Sequence, residues 1–179
     1  MNTIQTRLAT VGVALIAVAT VAFSSGEAAT KGPTLDNIKA LVGTWVPVDK
    51  DGKPTDEVAS TYRISAGGSA ILATEFPGSD HEMLTVYTMN HGSLELDHYC
   101  VMGNQPHMIA RADSPTGEII FECDGHGGNM NCEVDQHMHK GHLTFPSKDR
   151  IVSTWSMVTE GKVTYEAKFD LVRKKEDKR

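Results

Sequence analysis

The chain has 179 residues, 40% of them hydrophobic and 6% aromatic, with a formal net charge of −6. No cluster of Lys and Arg interleaves with aromatic side chains, and the one basic run is Arg173-Lys174-Lys175. Nucleic acid and an anionic membrane surface are therefore not predicted as partners, and the length suits a single domain with its own core.

Residues 1–29 have the order of a secretory signal peptide. A short n-region carries Arg7, the 16 residues of 8–23 are apolar or small, and residues 24–29 offer small side chains for cleavage after Ala28 or Ala29. The run is shorter than the roughly 20 residues a transmembrane helix needs, so no membrane insertion is expected after cleavage. No Cys lies near the cleavage point for a lipid anchor. The mature domain, residues 30–179, is expected to be periplasmic or secreted and monomeric.

Leu35, Ile38, Leu41 and Val42 recur at helical spacing, which predicts a short helix over 35–42. Gly43-Thr44-Trp45 then opens a strand. From residue 58 onward the chain alternates strand and turn, with predicted strands at 58–64, 69–76, 82–89, 94–102, 107–113, 118–123, 136–145, 150–160 and 162–173. The last strand is the clearest, with Val163, Tyr165, Ala167, Phe169 and Leu171 on one face. About ten strands joined mostly by short turns predict an all-β fold, an up-and-down antiparallel β-barrel with a short N-terminal helix; a two-sheet sandwich is the alternative. Residues 176–179 read as a charged, disordered tail.

Three cysteines occur in an exported context, so one thiol stays unpaired within a monomer. Cys123 and Cys132, with eight residues between them in a Gly- and Asn-rich link, are the expected disulfide, worth about 2–3 kcal/mol. The alternative has both as metal ligands together with His126. Cys100 remains as the free, inward thiol. The Gly125-His126-Gly127-Gly128 stretch is expected to be a flexible loop and lacks the strand-then-helix setting of a phosphate loop.

Residues 94–108 carry the most chemistry. Alternation places His98 and Cys100 on the face of Leu94, Leu96 and Met102. The same rule groups His137, His139, Leu143 and Phe145 on one face and Met138, Lys140 and His142 on the other. Joined inside a barrel, His98, Cys100, His137 and His139 form a possible zinc or copper ligand set. The plainer reading has these histidines as core groups satisfied by neighbours such as Tyr99, Thr85 or Gln136. His81-Glu82 and Asn104-Gln105 fall at strand ends and are candidates for a barrel rim.

The motif Leu41-Val42-Gly43-Thr44-Trp45 resembles the Gly-x-Trp opening of lipocalin-like (calycin) barrels. That resemblance implies a Trp packed across the closed end beneath a basic side chain of the last strand, here Arg173. Over residues 62–155 several blocks, among them Phe76-Pro77-Gly78, His98-Tyr99-Cys100, Gly103-Asn104-Gln105-Pro106 and His137-Met138-His139, resemble a largely uncharacterised bacterial family of small exported lipocalin-like proteins. This implies a fold and no activity, and the chain departs from the pattern between Cys123 and Cys132.

The sequence carries no hydrolase or metalloprotease signature, so no catalytic residue is assigned. The leading expectation is a barrel that binds a small apolar or amphipathic molecule, oriented by His98, Gln105, His137, His139 and His81. The alternative is a zinc- or copper-binding barrel, or a metal-dependent enzyme, using His98, Cys100, His137 and His139. A third is a structural domain whose interior is simply filled.

Overall fold

The structure, a computed structural model, describes residues 32–175. The signal peptide read in residues 1–29 and the tail 176–179 lie outside the described residues.

One helix, α1 (Leu35–Lys39), precedes ten strands: β1 (Gly43–Pro47), β2 (Ser60–Ser65), β3 (Ala70–Glu75), β4 (Met83–Asn90), β5 (Ser93–Tyr99), β6 (Gln105–Ala110), β7 (Glu118–Gly128), β8 (His137–Ser147), β9 (Arg150–Thr159) and β10 (Lys162–Arg173). Each strand pairs antiparallel with the next, and β1 pairs with β10 to close the barrel. Closure leaves no edge unpaired, which is why a long meander with one apolar face settles into this form. Two hairpins turn on two residues at positive φ, His91-Gly92 and Glu160-Gly161, as tight hairpins with right-handed twist require.

One end of the barrel is plugged. Leu35, Ile38 and Leu41 are buried against Trp45, whose indole N–H donates to the Leu41 carbonyl at 2.7 Å. The helix stops earlier than its spacing predicts because the Leu41 and Val42 amides turn back to the carbonyls three residues earlier. Gly43 follows at φ 132°, where a side chain would be strained and would crowd the Arg173 guanidinium. The opposite end is formed by the beginnings of β2, β4, β6, β8 and β10 and the ends of β3, β5, β7 and β9, and it is open.

Two departures from simple alternation matter for the site. In the β8–β9 ladder, Met138 pairs with Met157 and Lys140 with Ser156, so His139 is an extra, bulged residue. The bulge reverses the facing predicted for residues 137–139: Met138 is the one that turns inward. In the β9–β10 ladder a second shift between Val163 and Tyr165 leaves Val163 exposed, while Tyr165, Ala167, Phe169 and Leu171 keep the inner face.

The Gly-rich stretch is strand rather than loop. β7 runs on to Gly128, pairing Gln105 with Gly128 and Pro106 with Gly127, so His126 sits on an extended segment. The expected Cys123–Cys132 disulfide is absent: Cys100, Cys123 and Cys132 are all free thiols. Cys123 is held in the ladder opposite Met108 and packs against the core, with the Cys132 thiol beside it but unbonded.

Candidate functional site

The open end leads into a cavity of about 280 Å³. Its walls are mostly apolar, with Phe76, Met83, Met138, Trp155, Met157 and Phe169 prominent among them. The Trp155 ring lies against Gly141 on the neighbouring strand, where any Cβ would overlap it. The mouth passes between Val101 and Met102, in the turn after β5, and Tyr165 on β10, all three exposed.

Within this apolar lining lies one polar strip. The Thr85 hydroxyl is 3.0 Å from Glu75 Oε1 and 2.9 Å from His98 Nδ1, linking β3, β4 and β5. The strands place these groups together because Glu75 and Met83 end and begin the β3–β4 hairpin, while Thr85 stands opposite His98 in the β4–β5 ladder. Burial raises Glu75 from 4.5 to about 8, an effect that the Thr85 hydrogen bond only partly offsets. Burial also lowers His98 from 6.5 to about 4. At neutral pH the strip is therefore a protonated carboxyl and a neutral imidazole, with no net charge.

Thr85 has one proton to donate, and where that proton is used within the strip two arrangements result. If Thr85 donates to Glu75, then His98 Nδ1–H donates to Thr85, leaving a lone pair on His98 Nε2 and a proton on Glu75 Oε2. If Glu75 donates to Thr85, then Thr85 donates to His98 Nδ1, leaving a proton on Nε2 and a lone pair on Oε2. Among the described residues neither His98 Nε2 nor Glu75 Oε2 has a partner, and both are buried. In both arrangements, one hydrogen-bond donor and one acceptor stay unused, buried at the cavity wall. The Ser60 hydroxyl, also buried on this wall beside the Tyr62 phenol, makes no hydrogen bond of good geometry.

Of the residues singled out from the sequence, His98 and Cys100 line this cavity. His137 and His139 do not; they lie at the start of β8 with rings 5.4 Å apart, next to Cys123 rather than to His98 and Cys100. The four-residue ligand set is thus divided between two places. Gln105 is also outside the cavity, packed where a side chain on Gly128 would otherwise stand. Asn104, buried, donates to the Gln136 carbonyl at 2.8 Å and ties the turn after β5 to the approach to β8. His81 is exposed in the β3–β4 connection and lines a separate groove beyond Phe76.

Glu75 and Ser60 were not singled out from the sequence. A signal for Glu75 was present: Ile71, Ala73 and Glu75 alternate onto one face, which puts a carboxyl on the apolar side of a strand. No protein-family model matches the chain, and no curated protein sequence matches it.

Proposed function

We propose that the chain is an exported, monomeric lipocalin-like barrel that binds a small, uncharged amphipathic molecule in its cavity. The observation that carries this reading is the pair of buried atoms His98 Nε2 and Glu75 Oε2, without partners among the described residues, at a mostly apolar cavity wall. An unsatisfied buried polar group costs about 1–3 kcal/mol, so a cavity that keeps two at its wall favours a ligand that fills both.

The proton arrangement narrows the ligand. A group that both donates and accepts, such as a hydroxyl or an amide, matches either form of the strip. A carboxylate finds no counter-charge there and loses its hydration without compensation, and an ammonium would first have to ionise Glu75. The volume, about 280 Å³, lies at the low end of the ~300–1,000 Å³ usual for ligand pockets. The plugged end, with Arg173 across Trp45, supports placement among lipocalin-like barrels, and the leader read in residues 1–29 supports export to the periplasm or beyond.

The test is displacement of an apolar fluorescent probe by alcohols, amides, carboxylates and amines of matched chain length. The hydroxyl and amide compounds are expected to compete about tenfold or more better than the charged ones, a difference of one well-made hydrogen bond. Ala167→Phe, which narrows the cavity, should abolish probe binding. A wild-type protein that admits no probe, or that prefers the charged compounds, overturns the reading.

A further inference from the structure

We infer that Cys123, His137 and His139 form a binding site for a thiophilic divalent cation, zinc before copper, outside the cavity and independent of what the cavity binds. One ligand atom from each of the three lies within 4.8 Å of the other two. That triangle matches a cation held at roughly 2.0–2.3 Å from imidazole nitrogen and thiolate sulfur.

His137 is already arranged as a ligand. Its Nδ1 lies 2.8 Å from the Asp135 carbonyl, to which only a protonated Nδ1 can bond. The proton is thereby fixed on Nδ1, and Nε2 keeps its lone pair. This is the outer-shell arrangement that metal-bound histidines use. Nε2 faces His139 Nδ1 at 3.2 Å, with the two rings edge to face. Without a cation that contact is a single hydrogen bond from His139; with one, both nitrogens turn their lone pairs to the same point.

The site has a structural consequence in the barrel. The β7–β8 ladder ends at Glu122 paired with Lys140, and beyond it β7 follows β6. Cys123 and His139 are the next residues on each side of that split. A cation bound to them bridges the two strands where hydrogen bonding stops. The bulge that makes His139 an extra residue, described above, brings its ring into the triangle. The Cys132 thiol lies beside Cys123 but outside the triangle, so among the described residues three ligand atoms meet there.

The experiment uses the full mature chain, stripped with chelator under reducing conditions and titrated at neutral pH with Zn(II) and, separately, Co(II). One equivalent of zinc should bind, and cobalt should give a thiolate-to-metal charge-transfer band with tetrahedral visible bands. Cys123→Ser should remove the charge-transfer band. His139→Ala, an exposed change that leaves the fold intact, should weaken zinc binding by more than the 10–100-fold typical of losing an outer-shell partner. Cys100→Ser should change neither. The melting temperature of the wild type should rise with zinc concentration, as linkage requires. Absence of stoichiometric binding overturns the inference, as does binding undiminished in both His139→Ala and Cys123→Ser, or binding lost in Cys100→Ser. None of these results bears on probe binding in the cavity.

Discussion

Arg173 lies across Trp45, its guanidinium carbon 4.4 Å from the indole centroid, with the two residues paired in the β1–β10 ladder. The same side chain donates to the carbonyls of Val42 at 2.6 Å, Ala40 at 2.8 Å and Lys148 at 3.0 Å, and to Asp149 Oδ1 at 2.9 Å. It therefore fastens the chain after α1 to the last strand and keeps the plug over the core. Arg173→Ala is expected to cost about 2–4 kcal/mol, the sum of a stacked cation and several charge-assisted bonds discounted for partial exposure. Arg173→Lys should recover less than half, because a point charge cannot reach four acceptors at once. Denaturant unfolding measures both; a loss below about 0.5 kcal/mol for Arg173→Ala means the plug is held by its apolar contacts alone.

Stability should depend on pH through the two buried groups of the cavity strip. Glu75 has a folded value of about 8 against 4.5 in an open chain, so the folded state holds the extra proton between those values. Its contribution is complete below 4.5 and is lost as pH rises through 8. His98 has about 4 against 6.5, so its contribution is complete above 6.5 and is lost as pH falls through 4. Between 4.5 and 6.5 the two slopes oppose one another, and between 6.5 and 8 the loss at Glu75 proceeds alone at about 1.4 kcal/mol per pH unit. Glu75→Gln keeps the shape of the neutral acid and removes its titration. The variant should gain stability from pH 4 to 6.5 and then stay level to 8. Unfolding curves that run parallel in the two proteins between pH 6.5 and 8 would show that Glu75 does not hold its proton in the fold.

Much of this barrel could be read from the sequence, and the failures have local causes. The alternation of β10 and the turn dipeptides placed nearly every strand, because a closed antiparallel sheet keeps one face apolar throughout. The Gly-x-Trp opening even indicated which arginine would cover Trp45. Strict period two misplaces the facing of His137 to His139 because it has no room for a bulge, and that bulge shows only in the pairing of Met138 with Met157. Reading Asp124 to Gly128 as a loop rested on glycine content, yet pairing with β6 overrode that propensity. Loop length and compartment point Cys123 toward a disulfide, whereas its nearness to two histidines comes from the β7–β8 contact, which spacing along the chain does not record. Glu75 was missed although its alternation marked it.

Gly141 is required by its neighbour rather than by its backbone. The Trp155 ring occupies the space a Cβ would take, and the same ring forms part of the cavity wall. Gly141→Ala should push the indole into the cavity, costing about 1–3 kcal/mol as overpacked cores do. Probe affinity should fall in parallel, and indole emission should shift. If probe binding is unchanged at full folding, the ring has another place to go and the cavity is wider than its walls suggest.

The central member of the polar strip is Thr85, since its single hydroxyl serves both Glu75 and His98. Thr85→Val keeps the shape and strands Glu75 Oε1 and His98 Nδ1, for a cost of about 2–4 kcal/mol near pH 6. Thr85→Ser retains the hydroxyl and should lose only about 1 kcal/mol with its methyl group. The two variants also differ in pH behaviour. The Thr85 hydrogen bond lowers the Glu75 value, so its removal drives the folded value above the present 8. A folded value raised further means stability in Thr85→Val keeps falling past pH 8, where the wild type levels off. Thr85→Ser should level off with the wild type. Unfolding measured at half-unit steps from pH 6 to 9.5 separates these cases, and a Thr85→Val curve that levels at 8 would show that the hydroxyl is not bonded to Glu75 in solution.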